Sequence, residues 1–97
     1  MPYAVVHHFP GGTKEQYEAS VAAVHPEGGA ALPPGQITHY AGPSADGWVI
    51  VAIIESEDSW ADFRDNTLMP AMSAGVEGGF QSMPQETTFE VDTHQAS

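Results

Sequence analysis

The hydrophobic and polar positions of the chain divide it into six elements. Tyr3 to Phe9 is a short apolar and aromatic run closed by Pro10-Gly11-Gly12, which predicts a strand ending in a turn. Thr13 followed three residues later by Gln16 is the signature of a capping box, so a helix is predicted to start there. From that start Tyr17, Val21 and Val24 recur at i, i+4 and i+7, with Ala22 and Ala23 beside them, and Pro26 stops the helix. The segment from His25 to Gly35, rich in Gly, Pro and Ala, reads as a loop. Gln36 to Ala41 and Trp48 to Glu55 flank the turn-rich spacer Gly42-Pro43-Ser44-Ala45-Asp46-Gly47 and predict a hairpin. Its second strand is apolar on both parities, with Trp48, Ile50, Ala52 and Ile54 on one face and Val49, Val51 and Ile53 on the other, so both faces need cover. Ser56-Glu57-Asp58 supplies an N-cap and two acids for the positive end of a second helix. The apolar positions there are Trp60, Phe63, Leu68, Ala71 and Met72, with Arg64 and Thr67 inside the same stripe. Pro70 has no N–H to bond back to Asn66, which predicts a kink or break near Met69, and Gly75, Gly78 and Gly79 end the helix. Thr87 to Val91 alternates as a half-exposed strand, and the tail from Thr93 to Ser97 is predicted to fray.

The order strand, helix, strand, strand, helix, strand is that of a ferredoxin-like α+β fold, βαββαβ. Right-handed crossovers place both helices on one face of a four-stranded antiparallel sheet and leave the other bare. Because the Trp48–Glu55 strand is apolar on the bare side too, the pattern predicts a homodimer through sheet-to-sheet packing. Ninety-seven residues allow one such domain, residues 1–97, since a second core would need roughly 50 residues of its own.

Composition narrows the function classes. Apolar residues make up 41% of the chain, which suits a compact fold. Thirteen acids against Lys14 and Arg64 give a formal charge of −11, a poor match to nucleic acid or an anionic membrane. The absence of Cys removes thiolate nucleophiles and thiolate metal sites. The stretch MPYAVVHHFPGG lacks the basic start and long apolar run of a signal peptide, and no window reaches the roughly 18 apolar residues of a membrane span, so a cytoplasmic protein is expected.

The succession of elements, with the string Ile54-Glu55-Ser56-Glu57-Asp58-Ser59-Trp60-Ala61-Asp62-Phe63 leading to Leu68-Met69-Pro70, resembles the dimeric α/β-barrel superfamily over nearly the whole chain. Within it the chain is most similar to small proteins grouped with the antibiotic biosynthesis monooxygenases. That resemblance implies a homodimeric barrel with a small-molecule pocket between the sheet and helices of each subunit. Members oxygenate polyphenolic anthrones without metal or flavin, cyclise polyketides, isomerise lactones, or bind and degrade haem. Here the second helix carries no His, and Ser73 stands roughly where a haem-ligating His would fall, so haem is not expected.

His7 and His8 are adjacent on a strand and point to opposite faces. By comparison with the superfamily, Val5, His7 and Phe9 share the parity that looks toward the helices, which makes His7 the candidate base. Arg64, the one arginine, lies a turn after Trp60 and is the candidate partner for an anionic or enolate oxygen, with Trp60 a cation–π neighbour. His39 and Tyr40, again on opposite faces, are candidates for lining a pocket or barrel mouth. Trp60, Phe63 and Met72, with Met69 and Phe80, suit the walls around a small hydrophobic or aromatic ligand, and Asn66 is a candidate hydrogen-bonding group near the kink. Each also has a plain structural reading: His7 as a bonded core residue, His8 in the dimer interface, Arg64 in a surface ion pair, the aromatics as core. No HxH, HxxxH or HExxH spacing supports a metal, and no cofactor is expected. No Ser-His-Asp order or phosphate-binding glycine loop appears. The leading expectation is a cofactor-free monooxygenase acting on an aromatic or polyketide-like molecule. The alternatives are a cyclase or isomerase using the same base, and a small-molecule-binding or stress-related protein without turnover.

Overall fold

The computed structural model describes residues 1–96; position 97 of the expected frayed tail lies outside the described residues. The elements run β1 (Tyr3–Pro10), α1 (Lys14–Val24), a short 3-10 turn (Glu27–Gly29), β2 (Gln36–Ser44), β3 (Gly47–Ile54), α2 (Glu57–Phe63), a π-turn (Arg64–Leu68), α3 (Met69–Ala74) and β4 (Gln85–Glu90). The four strands form one antiparallel sheet in the order β2-β3-β1-β4, the α+β arrangement compatible with a ferredoxin-like fold.

Local signals account for the boundaries. Thr13 Oγ1 accepts from the Gln16 N–H at 3.2 Å while the Gln16 amide oxygen accepts from the Thr13 N–H at 3.1 Å, so the capping box forms as predicted. Ser56 caps α2 by accepting from the Ser59 N–H at 3.1 Å. The hairpin is tighter than expected. β2 continues through Pro43 and Ser44, so that only Ala45 and Asp46 turn the chain. Pro43 is tolerated because β2 is an edge strand with no further neighbour to receive an N–H. The expected break at Pro70 takes the form of the π-turn, in which the Met69 N–H bonds to the Arg64 carbonyl. The wider turn just ahead of Pro70 absorbs the backbone group that proline leaves without a donor.

The sheet face shared by Val5, Phe9, Trp48, Ala52 and Ile54 is the buried one. Val5, Ala52 and Ile54 form a core cluster with Trp60 of α2, flanked by Tyr3, Phe63 and Leu68. Phe9 stacks on Phe80 at 3.7 Å, and Tyr17 of α1 lies 5.3 Å from Trp48. On the opposite face Ala4 is fully buried and Val6, Val49, Val51 and Ile53 are half-buried, while Tyr40 and Phe89 are exposed. No helix among the described residues is long and apolar enough to cross a membrane.

Candidate functional site

Between the buried sheet face and the helices lies a cavity of about 130 Å³. Val5, His7, Phe9, Ile50 and Ala52 form its floor, Val21, Val24 and His25 one wall, and Trp60, Phe63 and Met72 another, with Phe80, the exposed Met83 and Pro84 also in the lining. The cavity is apolar and aromatic with a few polar groups, the usual make-up of a small-molecule site.

His7 reaches this cavity because β-strand alternation puts it on the face of Val5 and Phe9, and the β1–β4 register sets it opposite Glu86. Its Nε2–H donates to Glu86 Oε2 at 2.7 Å. The imidazole is only 14% exposed and the carboxylate 45%, so the pair straddles the cavity edge with the ring on the dry side. With Nε2 holding the proton, Nδ1 carries the lone pair. The ring sits edge-on to Trp60 at 5.7 Å and to Phe9 at 6.3 Å. His8 faces the other way, its Nδ1 3.1 Å from Gln85 Oε1 and its Nε2 3.0 Å from Asp46 Oδ1.

His39 also enters the cavity, through register with Ala52. Its Nδ1–H donates to Gln36 Oε1 at 2.8 Å, since an amide oxygen only accepts, and Nε2 therefore accepts from the Tyr17 hydroxyl at 2.8 Å. Burial lowers the pKa of His39 and raises that of Tyr17, both in favour of the neutral forms this arrangement needs. His25 follows α1, edge-on to His39 at 5.0 Å and to Phe63 at 6.3 Å. Burial first, then His39, pull its pKa down to about 4, with the Ala31 backbone acting in the opposite direction.

The π-turn sets which side chains of the second helical run face the cavity. A regular helix would present positions 60, 63, 64, 67, 68 and 71 on one stripe. The residues that line the cavity are Trp60, Phe63, Arg64, Leu68, Met69 and Met72, the same stripe with one residue inserted after Arg64. Thr67, expected inside the stripe, is instead exposed beside an outer groove.

The structure therefore brings together His7, His39, Trp60, Phe63, Met72 and the rim residue Arg64. Arg64 Nε donates to Asp65 Oδ1 at 3.0 Å in a pair whose side chains are 42% and 62% exposed, the surface ion pair anticipated as its plain reading. Two residues expected near the site are elsewhere. Tyr40 pairs with Val51 on the opposite face and is 64% exposed, because it alternates with His39. Asn66 lies in the π-turn, exposed and outside the cavity lining. Glu86, Gln36, Tyr17 and His25 escaped the sequence reading. Tyr17 carried a signal in its place on the apolar stripe of the first helix, and Glu86 in the parity of Glu86, Thr88 and Glu90, which a strand begun at Thr87 cut off.

No protein-family model matches this chain, and no curated protein or solved structure does either.

Proposed function

We propose that the protein is a proton-abstracting enzyme for an aromatic or polyketide-like small molecule, working in the manner of the cofactor-free antibiotic biosynthesis monooxygenases with His7 as base. The observation that carries this reading is the His7–Glu86 pair at the edge of an apolar, aromatic cavity. Glu86 fixes the tautomer and orientation of the ring and offsets the positive charge that develops when Nδ1 takes a proton. Trp60 and Phe63 shape the wall against a planar substrate. Loss of a proton from an activated carbon gives a carbanion that passes one electron to dioxygen. Recombination of the carbon radical with superoxide gives a peroxide anion, which takes the proton back from His7. The hydroperoxide loses water with the second hydrogen of the same carbon to leave a carbonyl, so one oxygen atom enters the product and the other leaves as water. Arg64 at the rim is the cation nearest to steady the anionic oxygen, once released from Asp65. The same reading includes a homodimer formed by the bare sheet face, where Val6, Val49, Val51, Ile53, Tyr40 and Phe89 present an apolar surface.

The test is dioxygen uptake with a hydroxyanthrone. His7→Ala is expected to lower kcat by about 100-fold or more with a small change in KM, the usual range for loss of a general base. Glu86→Gln is expected to fall between wild type and His7→Ala. Uptake indifferent to His7 sinks the proposal. Exchange of the acidic C–H with deuterated water that depends on His7, without oxygen uptake, transfers the same base to a cyclase or isomerase.

A further inference from the structure

The imidazoles of His7, His25 and His39 line the cavity, and their nitrogens are unequally committed. His7 gives its Nε2 proton to Glu86. His39 is held at both nitrogens, by Gln36 and by Tyr17, and has nothing left for a ligand. His25 has no hydrogen bond to another side chain among the described residues, and the Ala31 backbone occupies one side of its ring at most. A neutral imidazole carries one N–H and one lone pair, so a hydrogen-bonding nitrogen remains for the cavity. Neither nitrogen of His25 is both buried and unpartnered, so the one without a side-chain partner is open to water, and a ligand hydroxyl bound there takes the place of that water.

Its position bears on what that partner is. Successive ring centres run from His7 to Trp60 at 5.7 Å, to Phe63 at 6.2 Å and to His25 at 6.3 Å. His7 thus abuts Trp60 and His25 abuts Phe63, the two neighbouring aromatic rings of the lining. Val24, His25 and Phe63 also line an outer groove, so His25 stands in the partition between the cavity and the surface. The one acid in the cavity lining is Glu86, and the one cation, Arg64, is paired at the rim, a setting that favours an uncharged ligand.

We propose that His25 is the second polar pole of the cavity, hydrogen-bonding a hydroxyl group at the end of a neutral planar ligand remote from the end that reaches His7. This rests on reading the cavity as the substrate site, and it makes His39 a support for His25 rather than a ligand contact. A substrate with oxygen functions at opposite ends of a fused ring system is the class that both poles recognise together.

The experiment is calorimetric titration of the full chain with 2,6-dihydroxynaphthalene and with 2-naphthol. Wild type is expected to bind the diol about tenfold more tightly. His25→Phe is expected to bring the ratio of the two affinities to about one, and His25→Gln, which keeps a hydrogen-bonding group, to retain part of the preference. Circular dichroism checks that each variant folds. Equal affinities in wild type, or an equal loss for both compounds in His25→Phe, overturn the proposal, the second outcome marking a packing role. Failure of both compounds to bind also overturns it, along with the cavity as a ligand site. A His25-dependent diol preference without His7-dependent chemistry on the hydroxyanthrone leaves this pole standing and removes the base. His7-dependent chemistry without the preference does the reverse.

Discussion

At the scale of single residues, the half-buried Tyr17–His39–Gln36 chain is constrained because each member fixes the proton of the next. It also keeps a neutral ring beside His25. Both histidines have folded-state pKa values below the ordinary value of 6.5, about 4 for His25. The unfolded chain therefore binds protons more readily as the solution is acidified. The stability that the two neutral rings contribute is complete above pH 6.5 and is lost as pH falls toward about 4. Urea unfolding midpoints measured between pH 7.5 and 4.5 are expected to drop through that window in wild type, and to drop less in His25→Phe. A flat profile in wild type contradicts the assignment of neutral, buried rings. Strand alternation already separated His7 from His8 and His39 from Tyr40 in the sequence. Choosing His39 over Tyr40 needed the register of β2 on β3, which a bulge between Gln36 and Thr38 makes unreadable from spacing.

At the scale of elements, the caps of α1 and α2 were legible because each is a local contact between residues three apart. The hairpin was legible in place but not in length: Gly42 and Pro43 look like turn residues, and only the edge position of β2 lets them stay in the strand. The second helical run shows how one proline changes a site without entering it. Pro70 announces a disruption, but the sequence does not say that the chain answers with one extra residue in the turn before it. Deleting Asn66 is expected to return the run to regular α-helical phase, with Leu68, Met69 and Met72 still on the cavity stripe. The proline would then sit in a helix interior, at a cost of about 3 kcal/mol. The deletion combined with Pro70→Ala is expected to recover most of that loss and to bind 2-naphthol as wild type does. Unfolding curves for the single and double variants check this. A deletion that leaves stability unchanged contradicts the role given to the π-turn.

At the scale of the whole molecule, the single four-stranded antiparallel sheet and the placement of both helices on one face were expected from element order and crossover handedness, rules that hold whatever the side chains are. The cavity was legible only as a list of residue types, since its outline depends on the phase shift after Arg64 and on β4 bringing Glu86 beside His7. The second apolar parity of β3 has a larger consequence. Val49, Val51 and Ile53 lie on a central strand, flanked by Val6 on β1, with Tyr40 and Phe89 exposed on the edge strands. Under the proposed dimer, a second copy of the same face would cover these side chains, since two like sheets can pack face to face. The charge of −11 opposes association at long range, so the proposed dimer is expected to tighten as salt rises. Light scattering at micromolar protein is expected to give twice the chain mass of 10.3 kDa for wild type and the monomer mass for Val51→Lys. Val51→Thr keeps the branched shape with one hydroxyl and is expected to stay dimeric at higher concentration, which separates loss of the interface from loss of the strand. A wild-type monomer that is stable and indifferent to salt removes the sheet-to-sheet dimer and leaves the apolar face of β3 to another partner.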